Sequence, residues 1–192
     1  MEKSPSVLTK QQILHATEET LRRFGLDKIS VTDVAKVLGV SHGTIYRHFK
    51  SKSELLEGAT EKWLDSKIVK PLTEVYQKAE MRGMDHLQAY IWTLIQLKQH
   101  YAREDAELFK IYAKVTEDSA ELVSRHIGII IEQMSEIISR GPIKTNRPDQ
   151  LARAVFHATM RFHHPAHAYE WKSAAIEDEF LEVWGLIRKA LS

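Results

Sequence analysis

Residues 42–50 carry side chains of the types that read DNA. On helical spacing, Ile45 and Phe49 face inward, and six polar or basic side chains remain outside: His42, Thr44, Tyr46, Arg47, His48 and Lys50. Arg47 can read guanine edges in a major groove, and Thr44 and Tyr46 can hydrogen bond to phosphates. Gly43 removes a side chain where backbone and DNA approach closely. The segment therefore has the chemistry of a DNA-reading helix.

Ten histidines also suggest a metal or catalytic site. His163 and His167 are four residues apart, which places two imidazoles on one helical face, and His157 lies within two turns. Pro165 argues against a metal site, because proline between them kinks or ends the helix. We interpret the cluster as a helix C-terminus where protonated imidazoles meet the negative end of the helix dipole, and predict no metal and no cofactor.

Catalytic signatures are missing from the sequence. It contains no H-E-x-x-H, G-x-S-x-G, Walker A or G-x-G-x-x-G pattern, and no glutamate precedes a histidine by three residues as in di-iron bundles. We therefore expect no enzymatic activity.

A small-molecule pocket in the C-terminal part is a further prediction. Its candidate residues are Tyr90, Phe109, Tyr112, His126, Met134, Phe156 and Met160. Aromatic and methionine side chains adapt to apolar ligands, so a small apolar or amphipathic molecule is the expected ligand. Each residue also suits the core of a helical bundle. His126 and Tyr112 bring polar groups to apolar faces, where they could orient a ligand or make a buried structural hydrogen bond.

Two short helices with a tight turn must position the DNA-reading segment. Ser30 and Asp33 form a capping-box pattern that opens a helix at about Val31, Gly39 ends it, and Ser41 caps the next helix. This geometry is a helix-turn-helix whose second helix stays exposed to enter the major groove. An ordinary pair of globular helices can show the same spacing, so the pattern alone leaves both interpretations open.

The run VAKVLGVSHGTIYRHFKSKSELL, with ILHATEETLRRFGLDKISV before it, resembles the signature of the TetR family of bacterial transcription regulators. The resemblance covers roughly residues 10–57 and includes Phe24-Gly25, Gly39-Val40-Ser41 and Thr44-Ile45-Tyr46. It implies contacts with double-stranded operator DNA by His42, Gly43, Thr44, Tyr46, Arg47 and His48. It further implies that Thr32 and Lys52 hold backbone phosphates.

Charge is distributed unevenly along the 192 residues. Residues 1–52 hold nine Lys or Arg against five Asp or Glu, a net +4, and residues 53–192 hold 18 against 21, a net −3. The basic excess therefore accompanies the DNA-reading segment, as nucleic-acid binding requires. Cysteine is absent, and neither a signal peptide nor a membrane-length apolar run is present, so we expect a cytoplasmic protein with no membrane partner.

The whole chain is predicted to be all-α, with about nine helices and no strands. Residues 1–52 form a three-helix helix-turn-helix headpiece, and residues 53–192 form a helical ligand-binding and dimerisation domain. We expect Pro71 to break or kink the helix that begins near Ser51, and residues 1–6 to form a frayed arm.

The last two helices are apolar on more than one side. Their apolar residues include Leu151, Val155, Phe156, Met160, Phe162, Ile176, Phe180, Val183, Trp184 and Ile187. The resemblance implies that these helices pair with their symmetry mates in a homodimer, and a palindromic operator requires such a two-fold dimer. The alternative is a thicker core within one chain.

These observations favour a TetR-type DNA-binding transcription regulator, a repressor released from its operator by a small molecule. One alternative is a DNA-binding structural or cell-division factor of the same fold that needs no inducer. The other is a helical-bundle enzyme or metal-binding protein with a fortuitous headpiece.

Overall fold

The computed structural model describes residues 8–191, which form helices and turns without any strand. This confirms the all-α prediction, whereas the arm predicted for residues 1–6 lies outside the described residues. The α-helices are α1 (Lys10–Phe24), α2 (Val31–Leu38), α3 (His42–Tyr46), α4 (Lys52–Leu64), α5 (Lys70–Tyr76), α6 (Gly83–Glu104), α7 (Ala106–Asp118), α8 (Ala120–Arg140), α9 (Pro148–Ala158), α10 (Met160–His163) and α11 (Ile176–Ala190). Two 3₁₀ turns, Pro165–His167 and Glu170–Lys172, lie between α10 and α11.

Thr159 accounts for part of the difference between these helices and the nine predicted. Its hydroxyl donates to the carbonyls of Val155 and Phe156 and its backbone leaves helical geometry, so one predicted helix becomes α9 and α10. A side chain that bonds back to its own helix in this way competes with the backbone ladder.

Pro71 does not break its helix. It lies in the first turn of α5, and the five preceding residues, Asp65–Val69, form a π-helix in which the Lys70 N–H donates to the Asp65 carbonyl five residues back. The wider π turn changes the hydrogen-bonding register just before the proline, which itself has no N–H to donate. Helical structure therefore runs through Pro71.

The first of two compact units contains the described residues up to Trp63 and residues 105–119. It includes α1 to α3, nearly all of α4, and α7. Its core includes Ile13, Leu21, Ile29, Val34, Ile45, Phe49, Leu55 and Trp63. Trp63 packs edge-on against Phe109 and donates its indole N–H to Asp105. The Asp105 carboxylate also accepts two hydrogen bonds from the Arg22 guanidinium.

The second unit contains residues 64–104 and 120–191 of the described chain. Its core is built from α5, α6, α8 and α9, whose buried residues include Leu72, Leu87, Ile91, Leu94, Ile130, Met134, Ile137 and Ala152. Trp92, Phe162 and Trp184 surround Phe180 at ring-centroid distances of 5.1, 5.5 and 6.1 Å, which attaches α11 to this core.

Candidate nucleic-acid interface

The start of α2 has the capping box that the sequence predicts. The Ser30 hydroxyl accepts from the Asp33 N–H at 3.2 Å, and the Asp33 carboxylate accepts from the Ser30 N–H at 3.1 Å. The same carboxylate accepts from the Ser30 hydroxyl, which lowers the pKa of Asp33. Both ends of the box thus satisfy backbone groups that the first helical turn leaves open.

Gly39 and Ser41 set the turn into α3. Gly39 is left-handed, with φ 66° and ψ 31°, and its N–H donates to carbonyls of the last turn of α2. A side chain at this position would be strained, which explains the glycine. The Ser41 hydroxyl then accepts from the Thr44 N–H at 3.3 Å and caps α3.

One face of α3 is buried and the other is open to solvent. Ile45 is 1% exposed and Phe49 is 5% exposed, whereas Tyr46 is 45% exposed. His42, Gly43 and Arg47 are also exposed, and Thr44 and His48 are half-buried. The inward positions Ile45 and Phe49 match the prediction from helical spacing, whereas Thr44 and His48, predicted to lie outside, are only partly exposed.

Short contacts organise the exposed face of α3. The Arg47 guanidinium donates to the Thr44 hydroxyl at 3.2 Å, and that oxygen lies 3.0 Å from the Ser41 hydroxyl. The rings of His42 and Tyr46 meet edge to face at 6.3 Å. These contacts restrain side chains that would otherwise lose more conformational entropy on binding.

Thr32 and Lys52, the two residues expected to hold phosphates, are both exposed. Thr32 lies in the first turn of α2, and Lys52 is the first residue of α4. Just before α4, the Ser51 hydroxyl accepts from the Glu54 N–H at 3.0 Å, and the Glu54 carboxylate accepts from the Lys50 N–H. The capped turn fixes the backbone at Lys52 and leaves its ammonium in solvent.

Two family models match the chain. "Bacterial regulatory proteins, tetR family" matches residues 13–59, and "Tetracyclin repressor-like, C-terminal domain" matches residues 84–184, just over half of the chain. The chain belongs to the TetR family.

Relatives and solved structures agree with this membership. An uncharacterized HTH-type transcriptional regulator of Haemophilus influenzae is 47% identical over 47 residues, 24% of this chain and 25% of that protein. A probable acrEF/envCD operon repressor of Escherichia coli is 26% identical over 136 residues, 69% of this chain and 58% of that protein. The crystal structure of BioQ with its double-stranded DNA operator is 17% identical, covers 96% of this chain and 98% of BioQ, and has a TM-score of 0.60.

Matches to curated relatives of this TetR-family chain are partial. The chain spans 25%, 40% and 48% of the lengths of the first three that it matches. The likeness to BioQ, at 17% identity, shows the fold. None of the helices between residues 8 and 191 combines the length and apolar character that a membrane crossing needs.

The predicted ligand residues of the TetR-family chain fall in both units. Phe109 and Tyr112 belong to the first unit, where both rings contact Trp63, at centroid distances of 6.5 and 6.0 Å. Burial raises the pKa of the Tyr112 hydroxyl. These two residues therefore help to build the aromatic core of the first unit.

The other five predicted ligand residues lie in the second unit: Tyr90, His126, Met134, Phe156 and Met160. Tyr90 and Met134 are fully buried, and the Tyr90 hydroxyl donates to Gln133 at 2.8 Å. Met160 is half-buried, with its sulfur 3.2 Å from Nδ1 of His157. His126 belongs to a buried basic cluster with Lys98 and His163, and the Phe156 ring lies against His163.

Lys98 is the member of that cluster that the sequence interpretation missed. Its Nζ lies 3.4 Å from Nε2 of His126, and its side chain is buried. The sequence spacing indicates that Lys98 faces inward, because it follows Ile91 by seven residues and Leu94 by four, on the same apolar stripe of the helix. A lysine on the inward face of a helix marks a candidate functional position.

His163 corrects the interpretation of the histidine-rich segment. It ends α10, as expected, but its ring is buried, 3.3 Å from the Phe156 carbonyl and 3.3 Å from the Thr159 hydroxyl. Burial, assisted by the positive Lys98, lowers the pKa of His163 to about 3. The imidazole is therefore neutral near pH 7, and the prediction of a protonated histidine at a helix end is wrong for this residue.

His167 has different surroundings from His163. It lies in a 3₁₀ turn, with Nδ1 2.8 Å from the Glu170 carboxylate, which also accepts from the Arg161 guanidinium. Across residues 8–191, no three His, Asp or Glu side chains are grouped as metal ligands.

Proposed function

We propose that this TetR-family chain is a DNA-binding transcription regulator, a repressor that leaves its operator when a small molecule binds. The observation that carries the proposal is the exposed polar face of α3, where Tyr46 is 45% exposed beside an Ile45 that is 1% exposed. An exposed, capped helix after a tight turn has the geometry for entering a major groove.

The DNA contacts divide into two kinds in this proposal. Arg47 reads base edges from the middle of the exposed face, with His42, Gly43 and His48 close to the groove. Thr32, Thr44, Tyr46 and Lys52 hold phosphates and set the register. The net +4 of residues 1–52 adds attraction that does not depend on sequence and weakens with salt.

A homodimer through α9 and α11 completes the proposed DNA-binding form. Apolar side chains on α11 support it, because Leu181 is 49% exposed and Leu186 is 72% exposed. Two-fold symmetry would present two copies of α3 to half-sites one helical turn apart. Such apolar exposure costs free energy in water, and a partner copy would remove it.

Ligand release is proposed to work by population shift. A ligand held by the second unit would favour a dimer conformation in which the two α3 helices no longer fit adjacent major grooves. The E. coli relative is described as a probable operon repressor, and a stearoyl-CoA complex is known for the Bacillus subtilis regulator FadR, whose structure is similar at 18% identity and a TM-score of 0.56. We further propose that the chain acts in the cytoplasm, without catalysis.

Binding-site selection from random duplexes tests the DNA proposal. The full chain should enrich a palindromic site and bind it at least tenfold more tightly than scrambled DNA, and equal affinity for both would overturn the proposal. Affinity for the selected site is then measured at saturation with each molecule that binds the protein. If none of them lowers the affinity, the inducer part fails and the alternative of constitutive DNA binding stands.

A further inference from the structure

Three basic side chains from separate helices meet inside the second unit. Lys98 of α6 is 2% exposed, His126 of α8 is 7% exposed, and His163 of α10 is 3% exposed. Nζ of Lys98 and Nε2 of His126 share a hydrogen bond at 3.4 Å. Lys98 therefore holds an amine on the inward face of α6, where an aliphatic residue would complete the stripe.

Burial lowers the pKa of each basic group in this cluster. Burial lowers the pKa of Lys98, and burial, with Lys98 and His163 close by, lowers the pKa of His126. His164, half-buried beside the cluster, also has its pKa lowered by burial and by positive neighbours, including Lys98. A negative charge placed among these groups would reverse the effect and favour their protonated forms.

Apolar and weakly polar groups lie next to His163 in this cluster. The rings of Phe156 and His163 lie 4.7 Å apart, and the Thr159 hydroxyl is 3.3 Å from Nε2 of His163. Phe162 is 1% exposed, and its carbonyl accepts from Gln99. A ligand that fits these surroundings has a small anionic head and an apolar body.

We propose that Lys98, His126 and His163 bind the carboxylate of an organic monoacid, whose apolar part lies among the surrounding aromatic side chains. The carboxylate oxygens accept from the Lys98 ammonium and from imidazole N–H groups, with protons taken from solvent where the bound anion requires them. Charge-assisted hydrogen bonds of this kind are strong when the site is shielded from water. As the signal for release from DNA, this ligand rests on the function proposed above.

Calorimetry on the full chain, without DNA, tests the inference. The probes are octanoate and benzoate, each compared with its neutral amide, and inorganic phosphate. We expect at least one carboxylate to bind at least tenfold more tightly than its amide and than phosphate. At pH 7.5, titrations in two buffers of different ionisation enthalpy should show proton uptake with the carboxylate and none with the amide.

Two variants locate the site. Lys98→Met keeps the length of the side chain and should weaken carboxylate binding at least tenfold, while Lys172→Met, a change at an exposed lysine of the same unit, should not alter it. Failure of both carboxylates to bind, or equal binding of carboxylate and amide by the wild type, would overturn the inference without any variant. Phosphate binding as tight as carboxylate, or unchanged binding by Lys98→Met, would overturn it as well.

DNA binding by the wild type without additives is measured separately. A protein that binds carboxylate but no preferred DNA site would contradict the proposed function and leave the carboxylate site standing. A protein that binds its selected site but neither carboxylate would contradict only the present inference.

Discussion

The guanidinium of Arg47 donates to the hydroxyl of Thr44 at 3.2 Å, on the exposed face of α3. Because the Thr44 hydroxyl is also 3.0 Å from that of Ser41, the side chain at the centre of the face is linked to the cap of its own helix. This link orients the guanidinium before any partner binds. It also ties the proposed base-reading residue to a proposed phosphate-binding residue.

Arg47→Ala and Tyr46→Ala should weaken DNA binding in different ways. Losing Arg47 should cost about 1–3 kcal/mol at the selected site and much less on scrambled DNA, because a base contact carries specificity. Losing Tyr46 should weaken binding to the selected site and to scrambled DNA by a similar factor, because a phosphate contact is independent of sequence. Fluorescence anisotropy with both duplexes measures this, and unchanged affinities for both variants would contradict the assignment of the recognition helix.

Gly43→Ala should separate folding from DNA binding. An added Cβ would meet nothing closer than the Ser41 hydroxyl at 3.8 Å, so the free energy of unfolding should rise by about 0.5–1 kcal/mol from the removed glycine entropy. Affinity for the selected site should nevertheless fall, because in the proposed complex the methyl group would lie where backbone and DNA approach.

Gly128→Ala is the matched control for this change. It lies within α8, and an added Cβ there has nothing within 4 Å, so it should stabilise similarly and leave DNA affinity unchanged. Thermal unfolding and anisotropy on the same preparations measure both quantities. Wild-type DNA affinity in Gly43→Ala would contradict close approach at this residue.

Ser30→Ala should destabilise the first unit by about 1 kcal/mol, because it removes the side-chain acceptor at the start of α2. Ser53→Ala, an exposed change inside α4, should cost much less. Denaturant unfolding of both variants gives the difference in the free energy of unfolding. Equal midpoints would show that the cap adds no stability.

Leu186→Lys should dissociate the proposed dimer, because it places a charge on an apolar side chain that is 72% exposed in one chain. Val37→Lys makes the same kind of change on α2, where Val37 is also exposed, and should leave the assembly intact. Sedimentation velocity without DNA distinguishes the two. A wild type that sediments as a monomer at all concentrations would contradict the dimer proposal itself.

Acid should destabilise the protein through His163. Its folded-state pKa of about 3 is below the ordinary value of 6.5, so between these pH values the unfolded chain binds a proton that the folded chain does not. The free energy of unfolding therefore decreases as pH falls below 6.5, by up to about 1.4 kcal/mol per pH unit from this group. His163→Gln should remove that part of the slope.

His15→Gln is the control for the pH experiment, because the His15 side chain is 66% exposed. Urea unfolding at intervals from pH 7 to pH 5 gives the slopes. If His163→Gln and the wild type have the same slope, His163 is accessible to protons in the folded state.

The helix-turn-helix could be predicted from sequence because its determinants are local. Each capping pair joins residues three apart, and Gly39 ends α2 through its own left-handed φ. Ile45 and Phe49, four residues apart, are buried on the same side of the chain. Such rules operate at fixed separations along the chain. They predicted both the caps and the exposed face of α3, and the specific motif identified the family.

Lys98, His126 and His163 are separated by 28 and 37 residues, and only the packing of α6, α8 and α10 brings them together. Phe109 and Tyr112 likewise belong to the aromatic core around Trp63, because α7 packs within the first unit. No rule of residue spacing predicts that packing. By itself, the sequence determined most of the helices, the caps of the helix-turn-helix and the inward-facing positions of α3. Tertiary structure decided which distant side chains share a buried site, because those contacts depend on how whole helices pack and not on the separation of residues within one helix.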